Sequence, residues 1–225
     1  MQNLLILYED NHIIAVNKKP SQLVQGDKTG DITLIDIIKE YLKKKYNKPG
    51  NIFLGLVHRL DRPASGVILF AKTSKALTRL NNMFKEKEIK KKYWAIVKNK
   101  PDAKSDTLIH YLVKNQEKNR SYAYDNEKLK TKKAILKYNV LKSTKTYYLL
   151  EVNLLTGRHH QIRCQLAKID CPIKGDLKYG FPRSNKNASI HLHARNLEFI
   201  HPVQNTKIKI EANPPDDVIW NEIMK

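Results

Sequence analysis

Cysteine is nearly absent from this chain. Two residues among 225, Cys164 and Cys171, cannot build a disulfide framework in a chain of this size, which points to a reducing, intracellular setting. No stretch approaches the roughly 18–20 consecutive apolar residues of a membrane span. The first ten residues, Met1 to Asp10, show no basic leader and an apolar run too short for a secretory signal. There is no repeat, no low-complexity tract and no Pro/Gly/Ser-rich linker, so residues 1–225 are expected to form a single domain. The Gly-x-x-x-x-Gly-Lys-Ser/Thr loop, the Gly-x-Gly-x-x-Gly fingerprint and the Gly-x-Ser-x-Gly elbow are all missing, which disfavours nucleotide-cofactor chemistry and serine hydrolysis. Acidic residues are scarce as well: 22 Asp plus Glu face 42 Lys plus Arg, a formal net charge of +20. Such an excess repels itself and attracts phosphate polymers, so a nucleic acid is the expected partner.

What is present reads as alternating short strands and a few helices. Leu4–Leu7 and Ile13–Val16 suggest strands joined by a turn at Glu9-Asp10-Asn11. Thr33 and Asp36 have capping-box spacing before a helix that runs through Leu34, Ile38 and Leu42 into Lys43-Lys44-Lys45 and stops at Pro49-Gly50. Val67–Ala71 reads as a buried strand, followed by a helix capped at Thr73 or Ser74 with Ala76, Leu77, Leu80, Met83 and Phe84 on its apolar face. Tyr93–Val97, Ile109–Val113, the alternation Ala134/Leu136/Tyr138/Val140, Tyr147–Leu155, Ile190–Ala194 and Ile208–Ala212 read as strands, with Arg158–Lys168 helical. Strands that mostly follow one another without crossover helices predict an α+β fold with a mixed, largely antiparallel sheet, flanking helices and a central cleft.

Four clusters carry polar residues that a folded core would not select. In His58-Arg59-Leu60-Asp61-Arg62-Pro63-Ala64-Ser65-Gly66, one carboxylate lies between two guanidiniums, on a loop stiffened by Pro63, loosened by Gly66 and leading into the Val67–Ala71 strand. An isolated loop aspartate is ordinarily a turn former or a surface ion partner; here the flanking arginines would hold it as an anion beside the core. Lys91-Lys92-Tyr93-Trp94 offers an aromatic platform for a base, although from spacing alone a tyrosine covering a sheet edge is the better reading. Thr156-Gly157-Arg158-His159-His160-Gln161-Ile162-Arg163 is dense in donors at a strand-to-helix junction, and some of those donors are expected to face a partner or solvent. The fourth cluster joins Pro172-Ile173-Lys174-Gly175-Asp176, His191, His193 and His201. A zinc site from Cys164, Cys171, His191 and His193 is a poor fit, because the cysteine spacing is not C-x-x-C and the histidines sit two apart on a strand. Lysine clusters at 43–45, 90–92 and 128–133 suit a phosphate backbone, and equally suit a solvated face.

Taken in order, these motifs resemble the RluA-type RNA pseudouridine synthases: His58-Arg59-Leu60-Asp61 with Ser65-Gly66, then Lys92-Tyr93-x-Ala95-x-Val97, Thr156-Gly157-Arg158-x-His160-Gln161-Ile162-Arg163, and Gly175-Asp176-x-x-Tyr179-Gly180. Leu192-His193-Ala194 through His201-Pro202 closes the series, and the resemblance runs from about Tyr8 to Pro215. It implies the pseudouridine synthase fold and isomerisation of particular uridines in structured ribosomal or transfer RNA, with no cofactor and no metal. By position in the motifs it implies Asp61 as the catalytic aspartate, Tyr93 as the ring stacked on the target base, Arg163 as the basic partner of Asp61, Ile162 as an apolar contact closing the pocket, and Arg59 as the residue that fills the space of the flipped base. The composition leads us to expect a cytoplasmic protein, and the motifs begin so early that the small N-terminal RNA-binding domain many relatives carry is not expected; a monomer is the expectation. Three positions depart from the family pattern: Ala64 stands where Thr is usual, Lys98-Asn99 where a glycine is common, and Ser21-Gln22 where a small residue and glycine follow the early Lys-Pro. An inactive RNA-binding descendant and an RNA hydrolase using Asp61 and His160 are the alternatives. The first would be free to lose Asp61, Tyr93 and Arg163; the second would change RNA mass.

Overall fold

The computed structural model describes residues 4–26 and 30–225. In chain order its elements are β1 (Ile6–Glu9), β2 (Ile13–Lys18), α1 (Leu34–Lys45), β3 (Gly55–Leu56), β4 (Ser65–Ala71), α2 (Ser74–Lys85), β5 (Lys90–Val97), β6 (Ser105–Asn115), β7 (Arg120–Tyr124), β8 (Lys132–Ser143), β9 (Tyr148–Leu154), α3 (Gln161–Lys168), a 3-10 turn (Leu177–Tyr179), β10 (Leu192–Ile200), β11 (Lys207–Glu211) and α4 (Val218–Met224). The chain divides into two compact units, Met1–Lys90 with Ala194–Pro214, and Lys91–His193 with Pro215–Lys225.

In the first unit β2 and β4 pair antiparallel, Ile14 opposite Phe70 and Val16 opposite Ile68. Both faces of this pair are covered. Ile13, Ala15, Val67 and Leu69 pack with Ala76 and Leu80 of α2 and with Leu197, Phe199 and Ile210. Ile14, Val16, Ile68 and Phe70 pack with Leu34, Ile38 and Leu42 of α1. Two buried faces explain why β4 reads as a continuous apolar run rather than an alternation. The capping box is present: Thr33 Oγ1 accepts from the Asp36 N–H at 3.2 Å while Asp36 accepts from the Thr33 N–H at 3.0 Å.

In the second unit β5-β9-β8-β6-β7 are neighbours in that order, and their pairings are antiparallel. One face packs on α3 through Leu112, Ala134, Cys164 and Tyr179. On the other, Ile96 and Leu149 lie under Trp220 and Ile223 of α4.

Several boundaries differ from expectation. β1 begins two residues later than Leu4 and includes Glu9, because Tyr8 and Glu9 pair with Ala15 and Ile14. The turn falls at Asp10, whose carboxylate accepts from the His12 and Ile13 N–H groups at 2.7 and 2.8 Å. α3 starts at Gln161 rather than Arg158, since His160 has φ 52°, a left-handed conformation that no helix accepts. β10 extends to Ile200; Arg195, Asn196 and Glu198 interrupt the apolar run but not the alternation of Leu197 and Phe199 into the core. The sequence reading missed β3, β7, the 3-10 turn and α4.

Candidate active site

Asp61 sits, half-buried, on the loop between β3 and β4, where the Ala64 N–H donates to its backbone carbonyl at 3.1 Å. Of the flanking arginines both are exposed, and Arg62 ties the loop outward, donating to Ser21 O at 3.3 Å and pairing with Asp31 at 2.8 Å. From beneath, Lys18, fully buried at the end of β2, braces it, its ammonium donating to the carbonyls of Lys19 (3.1 Å), Arg62 (3.0 Å) and Ala64 (2.6 Å). An ammonium has three N–H donors, so these carbonyls account for the whole set. Burial pushes the Lys18 pKa down to about 7, against the pull of the Asp61 carboxylate, which raises it. Lys18 thus joins the residues that position Asp61, and a lysine ending an apolar strand was the only sign of it in the sequence.

Gly66 tightens the loop and does not loosen it. It lies buried in β4 with φ +115°, and a Cβ there would fall 2.3 Å from the Ala194 carbonyl oxygen. Only glycine accommodates both conditions. His58 rests on Phe84 with ring centroids 5.0 Å apart, and its Nε2 accepts from the Leu69 N–H at 3.0 Å. That bond requires the neutral ring. At the departures from the family pattern, Ala64 still supplies a carbonyl to Lys18, and Ser21 takes the left-handed turn itself (φ 66°) with its N–H donating to Arg62 O at 2.9 Å.

In the second unit Tyr93 is half-buried on β5 opposite Val152. Ile162 and Arg163 open α3, 4% and 4% exposed. The junction before them is tied by Gln161: its Oε1 accepts from Thr156 Oγ1 at 2.8 Å and Arg158 N–H at 2.9 Å, and its Nε2 donates to Ile135 O at 3.1 Å. Arg163 Nε and Nη2 donate to the two oxygens of buried Asp176 at 2.7 and 2.8 Å, and the guanidinium lies over the Tyr179 ring, 5.0 Å from its centroid. The donors expected to face a partner or solvent therefore turn inward at Gln161 and, through this fork, at Arg163. Asp176 was quoted in the sequence motif but given no role; its Gly-Asp-x-x-Tyr context was the available signal.

The remaining motif residues hold the fold. His160 Nδ1 lies 3.0 Å from the Tyr179 hydroxyl, and His159 Nδ1 lies 2.9 Å from Ser121 Oγ. Cys164 and Cys171 are buried, which raises both thiols to about 11, and their sulfurs lie near the carbonyls of Ser121 and Asn99. His191 contacts Asp217 at 2.9 Å, and His193 sits edge-on to Trp220. Among the described residues, no group of three His, Cys, Asp or Glu is placed to hold a metal.

Residues 12–168 match the family described as RNA pseudouridylate synthase, and the chain belongs to that family, isomerases that act on RNA. Among curated relatives, "Ribosomal large subunit pseudouridine synthase C" of Buchnera aphidicola subsp. Baizongia pistaciae is 33% identical over 99% of this chain and 70% of its own length. The protein of the same name from Rickettsia prowazekii is 37% identical over 93% and 68%. The solved structure titled "Human RNA Pseudouridylate Synthase Domain Containing 4" shares the fold, with a TM-score of 0.80 at 24% identity over 96% of this chain and 90% of that one. The expected fold class and RNA isomerase activity are thereby established. No helix among the described residues is long and apolar enough to cross a membrane.

Proposed function

We propose that this protein converts uridines of large-subunit ribosomal RNA to pseudouridine, with Asp61 as nucleophile, Tyr93 and Arg163 as its catalytic partners, and Arg59 and Ile162 as substrate contacts. The observation that carries the reading is the family match over residues 12–168, which encloses all five. The names of the relatives supply the class of RNA.

A uridine stacked in RNA hides its glycosidic bond, so it must be extruded at a cost of a few kcal/mol. The basic surface and stacking on Tyr93 offset that cost, with Arg59 filling the vacated space. Asp61 then attacks the ribose carbon or C6 of the base, or assists glycosidic cleavage; each route needs an immobile anion, which the Lys18 clamp on the loop favours. Arg163, held bidentate by Asp176, is in this reading the basic partner of Asp61. The released uracil turns within a pocket closed by Ile162, rejoins through C5, and loses the C5 proton with help from Tyr93. The rearrangement is redox-neutral and conserves every atom, so positioning, a nucleophile and a proton acceptor suffice. In this reading the two units make one catalytic domain, acting as a cytoplasmic monomer.

The test is Asp61→Asn. Wild-type protein incubated with unmodified ribosomal RNA should form pseudouridine, detected by carbodiimide-dependent reverse-transcription stops with RNA mass unchanged. Asp61→Asn should bind RNA normally and form none; turnover near the wild-type rate would remove Asp61 from the mechanism, and loss of RNA mass would replace the isomerase by a hydrolase.

A further inference from the structure

Directly opposed residues of a sheet share a face. In the second unit Tyr111 opposes both Tyr124 and Lys133, Val113 opposes Tyr122, and Lys137 opposes both Thr107 and Asn153. One face of β6-β7-β8 therefore gathers Tyr111, Tyr122, Tyr124, Lys133 and Lys137. Tyr93, opposite Val152, which in turn opposes Tyr138, stands on the reverse face, where α3 packs.

On this side of the sheet α4 covers the β5-β9 end, over Ile96 and Leu149, while the tyrosine end is more open. Lys133 and Lys137 are exposed, the three tyrosines are half-exposed, and Ile109 among them is 48% exposed. Cations flank the rings: Lys128 Nζ lies 4.1 Å from the Tyr124 centroid, and the Arg120 guanidinium carbon 5.3 Å from that of Tyr122. A groove whose lining includes Ser105, Thr107, Lys137, Asn139 and Asn153, with one carboxylate, Asp106, at its edge, continues the face. Among the described residues no carboxylate pairs with Lys133 or Lys137. Tyr122 and Tyr124 stand about 7 Å apart along one strand.

We propose that this face is a second RNA-binding surface, taking a single-stranded segment of the substrate RNA that lies away from the target uridine. It rests on the RNA-modifying reading above. Charge complementarity selects the occupant: a polyanion meets unpaired lysines, and aromatic rings beside cations suit unstacked bases above neighbouring phosphates. A duplex would bring phosphates but bury its base faces, leaving the rings unused. Binding far from the reacting sugar adds affinity without touching the chemistry.

The test uses a fluorescein-labelled 12-nucleotide oligouridylate and anisotropy across a salt series. Lys133→Ala/Lys137→Ala should weaken binding at least fivefold and flatten the slope of log K against log salt by about 1.4, two phosphates at about 0.7 each. Tyr122→Ser/Tyr124→Ser should weaken binding about tenfold with the slope unchanged, and Tyr122→Phe/Tyr124→Phe should restore it. Lys75→Ala/Lys85→Ala, on α2 of the other unit, removes the same charge and should cost less than twofold. On ribosomal RNA the lysine variant should raise KM and leave kcat intact. Wild-type affinity in both face variants, as expected if the face serves a protein, overturns the proposal. So does a loss in the α2 control equal to that in the lysine variant. Because oligouridylate binding is read without turnover, a wild-type protein that forms no pseudouridine defeats the proposed function while leaving this measurement intact.

Discussion

Arg163 and Asp176 are each nearly excluded from water and bonded to one another. Removing one partner strands a charge in a low-dielectric interior, so Arg163→Ala should cost about 3–5 kcal/mol of stability in addition to any catalytic loss. The two effects separate in Arg163→Lys. Lysine keeps the charge but not the fork, so Tm should fall less than in Arg163→Ala while pseudouridine formation drops at least a hundredfold in single-turnover assays. Activity within tenfold of wild type in Arg163→Lys would mean that a point charge suffices.

Glu9 yields a prediction in pH. Burial alone would raise its carboxyl pKa, but hydrogen bonds from Lys45, Lys72, Tyr46 and Tyr41 carry it down to about 2 from 4.5. A depressed carboxylate stabilises the fold fully above its unfolded pKa and loses that contribution as pH falls through the folded value. Here the window runs from about pH 4.5 to pH 2, and the stake is about 3 kcal/mol. Urea titrations should therefore show the acid-side fall in stability of wild type flattened in Glu9→Gln, which starts from a lower plateau at pH 7. Parallel curves for the two proteins would exclude Glu9 as the acid-sensitive group.

Among elements, β4 is the least forgiving. Gly66→Ala places a methyl group against the Ala194 backbone in a conformation that L-residues avoid, and should cost at least about 2 kcal/mol, visible as a fall in Tm. Thr33→Ala removes only a cap and should cost about 1 kcal/mol. The same contrast explains what the sequence could disclose. Local rules found α1 by its capping box, α2 by its Thr73 cap and β4 by its apolar run. They failed where partners far along the chain decide: β7 is a short polar edge strand, Arg-Ser-Tyr-Ala-Tyr, made visible only by pairing with β6. Of the proposed site residues, Asp61, Tyr93, Ile162 and Arg163 could be picked out by their places in the family-like motifs. Lys18 could not, because its role depends on carbonyls 44 and 46 residues away. Asp176 was hidden likewise, its pairing being a matter of burial.

Across the whole molecule, the excess of 42 basic over 22 acidic residues couples every RNA affinity to salt. Raising salt from 50 to 200 mM should weaken binding to ribosomal RNA by two orders of magnitude or more while leaving Tm nearly constant. A salt-independent affinity would contradict recognition of the phosphate backbone.

The first unit is assembled from two stretches of chain separated by about a hundred residues of the second. Leu197, Phe199, Ile210 and Ala212 complete a core whose other half, Ile13, Ala15, Val67 and Leu69, precedes them by more than 120 positions. At roughly 5–20 residues per second, a ribosome making this protein leaves that apolar sheet face covered by α2 alone for about 5–25 seconds. Each unit thus waits on the carboxy-terminal stretch of the chain: the first for Ala194–Pro214, the second for the helix that follows it.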